Sequence, residues 1–74
     1  MEKRKKEYVT IERNNIKEIL NDIDMTQQEL ADTVGITRHH ISKIANNRSK
    51  NVTVAIAMKI AKCLGKKVED VFEL

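Results

Sequence analysis

The stretch "TQQELADTVGITRHHISKI", residues 26–44, constrains the fold more than any other part of this 74-residue chain. Thr26 followed three residues later by Glu29 is a capping box, in which the hydroxyl accepts from one end of a helical turn and the carboxylate from the other. Leu30, Ala31 and Val34 then form one apolar stripe at helical spacing, and Gly35 can take the left-handed conformation that stops a helix. Thr37 can cap a second helix whose inward side is Ile41, Ile44 and Ala45. The spacing predicts two short helices, about 27–34 and 38–45, joined by "VGIT". A small residue, Ala31, stands where the second helix crosses the first, and Leu30, Val34, Ile36, Ile41 and Ile44 stand where they can lock the pair. Few sequences meet all of these demands at once, and together they predict a helix-turn-helix.

The flanks extend the helical reading. Ile16, Ile19, Leu20 and Ile23 give a first helix over about 15–23, with Asn14 or Asn15 as its cap. Residues 46–52, "NNRSKNV", read as a polar loop. Thr53 caps a fourth helix carrying Val54, Ala57, Met58, Ile60, Ala61 and Leu64, which Gly65 ends. "VEDVFEL" fits a short fifth helix with Val68, Val71 and Phe72 apolar, although Lys67 is a poor cap. The expected fold class is all-α, a compact five-helix domain over 14–74, preceded by a basic arm or short extended segment at 1–13. In that segment "EKRKK" has a disordered composition and "YVTIE" favours strand. A mobile arm, a strand pairing with a partner chain and an extension of the first helix all fit; an arm leading into a short strand is the reading adopted.

Composition closes off several classes. With 41% hydrophobic residues but only Tyr8 and Phe72 aromatic, the core must be aliphatic. Cys63 is the sole cysteine, so neither an internal disulfide nor a zinc finger is supported. His39 and His40 are adjacent, about 100° apart on a helix, and converge poorly on one metal ion. His40 lies nearer the buried side and reads as a half-buried packing residue. The start, "MEKRKKEYVT", has basic residues but no apolar stretch behind them, so no signal peptide is expected, and the longest apolar run, "VAIAM", is far short of a membrane span. No metal, cofactor, small-molecule ligand or enzymatic site is expected, and the chain is expected to be soluble and cytoplasmic.

Charge is unevenly distributed. Residues 14–36 carry a net charge of −4, whereas residues 37–50 carry Arg38, Lys43, Arg48 and Lys50 with no acid at all. A basic segment beside an acidic one is what a polyanion-binding face requires. With Ile41, Ile44 and Ala45 turned inward, His39, Ser42, Lys43 and Asn46 point outward, and Arg38 lies near the exposed N-terminal end of the helix.

"TQQELADTVGITRHHISKI", followed by a helix ending "KIAKCLG" and then "VEDVF", resembles the lambda-repressor-like, or Cro/XRE, family of bacterial and phage regulators. The likeness runs from about Asn14 to Phe72. It implies a sequence-specific transcriptional regulator, a small dimeric repressor, binding double-stranded operator DNA with the third helix in the major groove. On that resemblance Arg38, His39, Ser42 and Lys43 read base edges. Gln27, Thr37, Asn46, Asn47, Arg48 and Lys50 hold phosphates, and the "KRKK" arm adds salt-sensitive affinity. The family's habit also suggests a homodimer through Ile56, Cys63, Phe72 and Leu74; the plainer alternative is a wide core face on the fourth helix. The chain departs from the family where relatives commonly pair an arginine with a glutamate. Leu20 and Ala45 stand there, so an apolar contact is expected in place of the ion pair. The loop after the third helix is also a residue longer and lacks the frequent proline. The rival function is an interaction module, an adaptor or an antitoxin-type partner, using the apolar fourth helix.

Overall fold

The structure is a computed structural model that describes residues 7–74. The "KRKK" arm expected to follow DNA lies outside these residues. Five helices follow one another as α1 (Ile16–Ile23), α2 (Gln27–Val34), α3 (Arg38–Ala45), α4 (Val54–Leu64) and α5 (Val68–Val71). Between and around them run four short strands, β1 (Tyr8–Thr10), β2 (Arg13–Asn14), β3 (Asn51–Thr53) and β4 (Phe72–Glu73).

Local chemistry explains where the helices begin and end. The α2 capping box is complete: Thr26 Oγ1 accepts from the Glu29 N–H at 3.0 Å, and Glu29 Oε1 accepts from the Thr26 N–H at 2.8 Å. Thr37 accepts from the His40 N–H at 3.0 Å to start α3, and Thr53 from the Ile56 N–H at 3.2 Å to start α4. Asn15 is the cap position of α1 but gives no side-chain cap; Asn14 does that work, its Oδ1 accepting from the Ile16 N–H at 3.0 Å. At the other ends, Gly35 and Gly65 take φ of 89° and 70°. The N–H groups of Gly35 and Ile36 both donate to the Ala31 carbonyl, closing α2. At α5 the Asp70 carboxylate accepts from the Lys67 N–H at 3.3 Å, supplying the cap that Lys67 itself cannot.

The chain ends are tied by two antiparallel pairs. In one, Val9 of β1 lies opposite Val52 of β3; in the other, Asn14 of β2 lies opposite Phe72 of β4. Residues 51–53 are thus a strand rather than the end of a polar loop, because Val52 is buried and its neighbours pair with β1. Phe72 is extended, not helical, with φ −121° and ψ 133°, since pairing with β2 competes successfully with a last turn of α5. Of the three conformations open for the N-terminal segment, residues 8–10 take the strand, and it pairs within its own chain.

Phe72 apart, the core is aliphatic, as composition required. It joins Ile16, Ile19 and Leu20 of α1 to Leu30, Ala31 and Val34, to Ile41, Ile44 and Ala45, and to Ala57, Ile60, Ala61 and Leu64. Ile11, Val52, Val71 and Phe72 complete it. Leu20 and Ala45 are both buried in this cluster, at the places where an ion pair would have stood. Met58 departs from expectation: it is 58% exposed, because Ala57, Ile60, Ala61 and Leu64 already define the inward side of α4. Ile23 is 42% exposed, at the last residue of α1. Among the described residues no helix is long and apolar enough to cross a membrane.

Candidate nucleic-acid interface

The two helices of the expected motif are present with the three-residue turn 35–37 between them. That turn presents one side of α3. Arg38, His39 and Lys43 are exposed, Ser42 is half-buried at the edge of this side, and Ile41, Ile44 and Ala45 anchor the other side in the core. His40 is half-buried, as its position on the helix implied. Among the described residues no group of three or more His, Cys, Asp or Glu is placed to hold a metal ion.

The residues expected at phosphates differ in what they have left to donate. A phosphate only accepts hydrogen bonds, so free donors matter. Gln27 is at the first turn of α2, where the N–H groups not taken by the cap add a partial positive charge. The Thr37 oxygen accepts the cap bond, which leaves its hydroxyl proton available. Asn47 stands just beyond α3 with φ 61°; its Oδ1 accepts from Asn14 Nδ2 at 2.9 Å, a bond that uses none of its own amide protons. Arg48 and Lys50 are exposed beside it, and the Arg48 N–H donates to the Lys43 carbonyl at 2.8 Å, folding the loop back onto the end of α3. Asn46 is different. Its Oδ1 accepts from the Lys17 ammonium, and its Nδ2 donates to the Ser42 carbonyl at 2.9 Å and Oγ at 3.2 Å. The amide is engaged inside the protein on both sides.

Two residues of this network carry no signal in the sequence. Asn14 reaches the C-terminal end of α3, donating to the Ile44 carbonyl at 2.9 Å as well as to Asn47. Lys17, one turn on, reaches Asn46. Both tie α1 to the end of α3 across a long separation in the chain. Only the partial charge at the end of α3, where carbonyls lack partners, would have favoured a cation nearby.

Of the residues expected at a dimer interface, Leu74 is 62% exposed, and Ile56 and Cys63 are half-buried. Phe72 is 1% exposed. Its ring fills the protein's own core and is closed to a partner, because β4 turns it inward opposite Asn14. Cys63 lines an open groove of about 360 Å³ between α2 and α4 with Thr33, Val34, Lys59 and Lys62.

Comparison with known proteins agrees with this geometry. The helix-turn-helix family model matches residues 16–71. An uncharacterized HTH-type transcriptional regulator of Archaeoglobus fulgidus is 38% identical over 60 residues, covering 81% of this chain and 83% of the relative. YgzD of Bacillus subtilis, also an uncharacterized HTH-type transcriptional regulator, is 34% identical over 62 residues, covering 84% and 92%. In three dimensions the chain is similar to the regulator SinR in complex with DNA, with a TM-score of 0.69 at 24% identity, over 74% of this chain and 87% of that one. The clp gene regulator ClgR of Corynebacterium glutamicum gives the same TM-score at 22% identity, over 74% of this chain and 57% of that one. Match, geometry and charge agree: the chain belongs to the Cro/XRE-like helix-turn-helix family of DNA-binding transcriptional regulators, a family of regulators and not of enzymes.

Proposed function

We infer that the chain is a small dimeric repressor that reads operator half-sites in the major groove with α3. The observation that carries this reading is the outward side of α3: Arg38, His39 and Lys43 exposed together, with Arg48 and Lys50 alongside and no acid in residues 37–50. Arg38 offers guanine a forked pair of donors, Lys43 a point of positive charge for guanine acceptors, and His39 either a donor or an acceptor. Gln27, Thr37, Asn47, Arg48 and Lys50 hold the flanking phosphates, which fixes register without reading sequence. Asn46, already bonded on both sides, supports this surface instead of contacting DNA itself. The similar SinR structure is a complex with DNA, which fits this use of the fold.

Two copies of the domain would place two third helices about one DNA turn, roughly 34 Å, apart. The dimer contact lies on α4, through Ile56 and Cys63, with the exposed Leu74 at the chain end. Repression follows from occupying a promoter. The test is selection from random duplex DNA with wild type beside an Arg38→Ala, Lys43→Ala double variant. A two-fold-symmetric motif enriched by the wild type alone is the expected result. Weak binding by both that vanishes as salt rises would leave only polyanion attraction, and a protein-binding role for the α2–α4 side would replace this reading.

A further inference from the structure

The hydrogen bonds at the C-terminal end of α3 run in one direction. The Lys17 ammonium has donors only, so the Asn46 oxygen facing it must accept. An amide oxygen turned toward α1 turns the amide nitrogen toward α3, where it donates to the Ser42 carbonyl at 2.9 Å and to Ser42 Oγ at 3.2 Å. Which way an asparagine amide points is assigned from its partners, and here the cation on one side and the Ser42 carbonyl on the other agree. Ser42 Oγ therefore accepts from the protein side, and its proton is left for another acceptor. A serine within a helix can return that proton to the carbonyl one turn before. Among the described residues, the bond from Asn46 is the only side-chain bond that Ser42 Oγ makes.

Resting on the reading of α3 as the recognition helix, we propose that the Lys17–Asn46–Ser42 chain biases Ser42 toward donating to a base acceptor, with Asn46 the positioning residue and Lys17 holding its amide from the other side. A serine by itself reads donors and acceptors alike. Held this way, with one lone pair taken by Asn46, Ser42 favours a purine N7, a guanine O6 or a thymine O4 over an amino group at that place. Each bond in such a chain polarises the next, so a hydroxyl that accepts from an amide donates more strongly. Asn14 steadies the same end of α3 from the start of α1, through the Ile44 carbonyl and Asn47. Lys17 is exposed, so its bond adds little to stability. What it supplies is a second hold on the Asn46 amide.

The experiment is selection from random duplex DNA with the full chain, comparing wild type with Ser42→Ala, Lys17→Met and Asn46→Asp. Ser42→Ala marks the base pair that Ser42 reads by flattening the preference there, from about fivefold to none. Asn46→Asp is the informative variant. Its carboxylate still pairs with Lys17 and keeps α1 tied to α3, but it has no proton to give, so Ser42 turns its own proton inward. The expected result is that Asn46→Asp flattens the same base pair and Lys17→Met weakens the preference there, both leaving the rest of the motif intact and keeping the helical circular dichroism. A uniform loss of affinity by Asn46→Asp with that preference retained would overturn the proposal. So would an unchanged motif from Lys17→Met with a shallower salt dependence, the mark of a phosphate contact. A motif untouched by Ser42→Ala overturns it as well. Failure of the wild type to select any motif is a distinct result: it removes base reading by α3 itself, and the proposal with it.

Discussion

Gly35 and Asn47 bracket α3, and both stand in the left-handed region, at φ 89° and 61°. For Gly35 this is the conformation that only a residue without a Cβ takes freely. A Cβ built there would meet nothing within 4 Å, so the cost of Gly35→Ala is purely that of the backbone. It is expected to destabilise by about 1–2 kcal/mol, read as a lower midpoint with an unchanged slope in urea. Asn47 reaches the same region with a side chain, and the bond from Asn14 helps to hold it there. For Arg38, exposed at the start of α3, replacement by alanine should cost roughly 1–3 kcal/mol of binding to the selected operator and relax one position in each half-site. A binding titration against single-base variants of the site measures both; uniform weakening across all variants would instead mark Arg38 as a phosphate contact.

Elements with local signals were legible. The bounds of α2, α3 and α4 follow from Thr26, Thr37 and Thr53 at one end and, for α2 and α4, from Gly35 and Gly65 at the other. Each signal acts within a few residues, so the sequence displays it directly. Thr26→Ala removes the oxygen that accepts from Glu29 and should cost about 1 kcal/mol, read as a lower thermal midpoint. Apart from β1, to which "YVTIE" pointed, the strands were not legible in the same way. β3 has one buried residue, Val52, between Asn51 and Thr53, and two-residue β2 and β4 have no alternation to detect. Their pairing is fixed by partners far away in the chain, Val9 for Val52 and Asn14 for Phe72.

At the scale of the whole molecule, the segment before α1 is built into the domain. Ile11 is 2% exposed, its N–H donates to the Lys50 carbonyl at 2.8 Å, and the Val54 N–H donates back to the Glu7 carbonyl at 2.9 Å. Ile11→Ala should therefore cost about 2–4 kcal/mol in a denaturant titration, whereas a detachable arm would leave stability unchanged. The loop that carries Arg48 and Lys50 is held by these same bonds, so β1 and β3 also position the flank of the proposed DNA surface. For association, Leu74 is the informative residue because its exposure lets a charge be introduced without harming the core. Leu74→Glu is expected to turn a sedimenting dimer into a monomer with its fold intact. A wild type that sediments as a monomer both free and on DNA would remove the dimer.

By itself the sequence determined the helix-turn-helix, the caps, the aliphatic core and the face of α3 turned to solvent, because periodicity and capping act over a turn or two of chain. It marked Arg38, His39 and Lys43 as one exposed group for the same reason. Three things were left to the tertiary structure. It folded residues 8–14 onto the helices, turned Phe72 inward, and brought Asn14 and Lys17 to the end of α3. Each depends on contacts between residues distant in the chain. No local pattern encodes such contacts, and they form only once the shared core has set which surfaces meet.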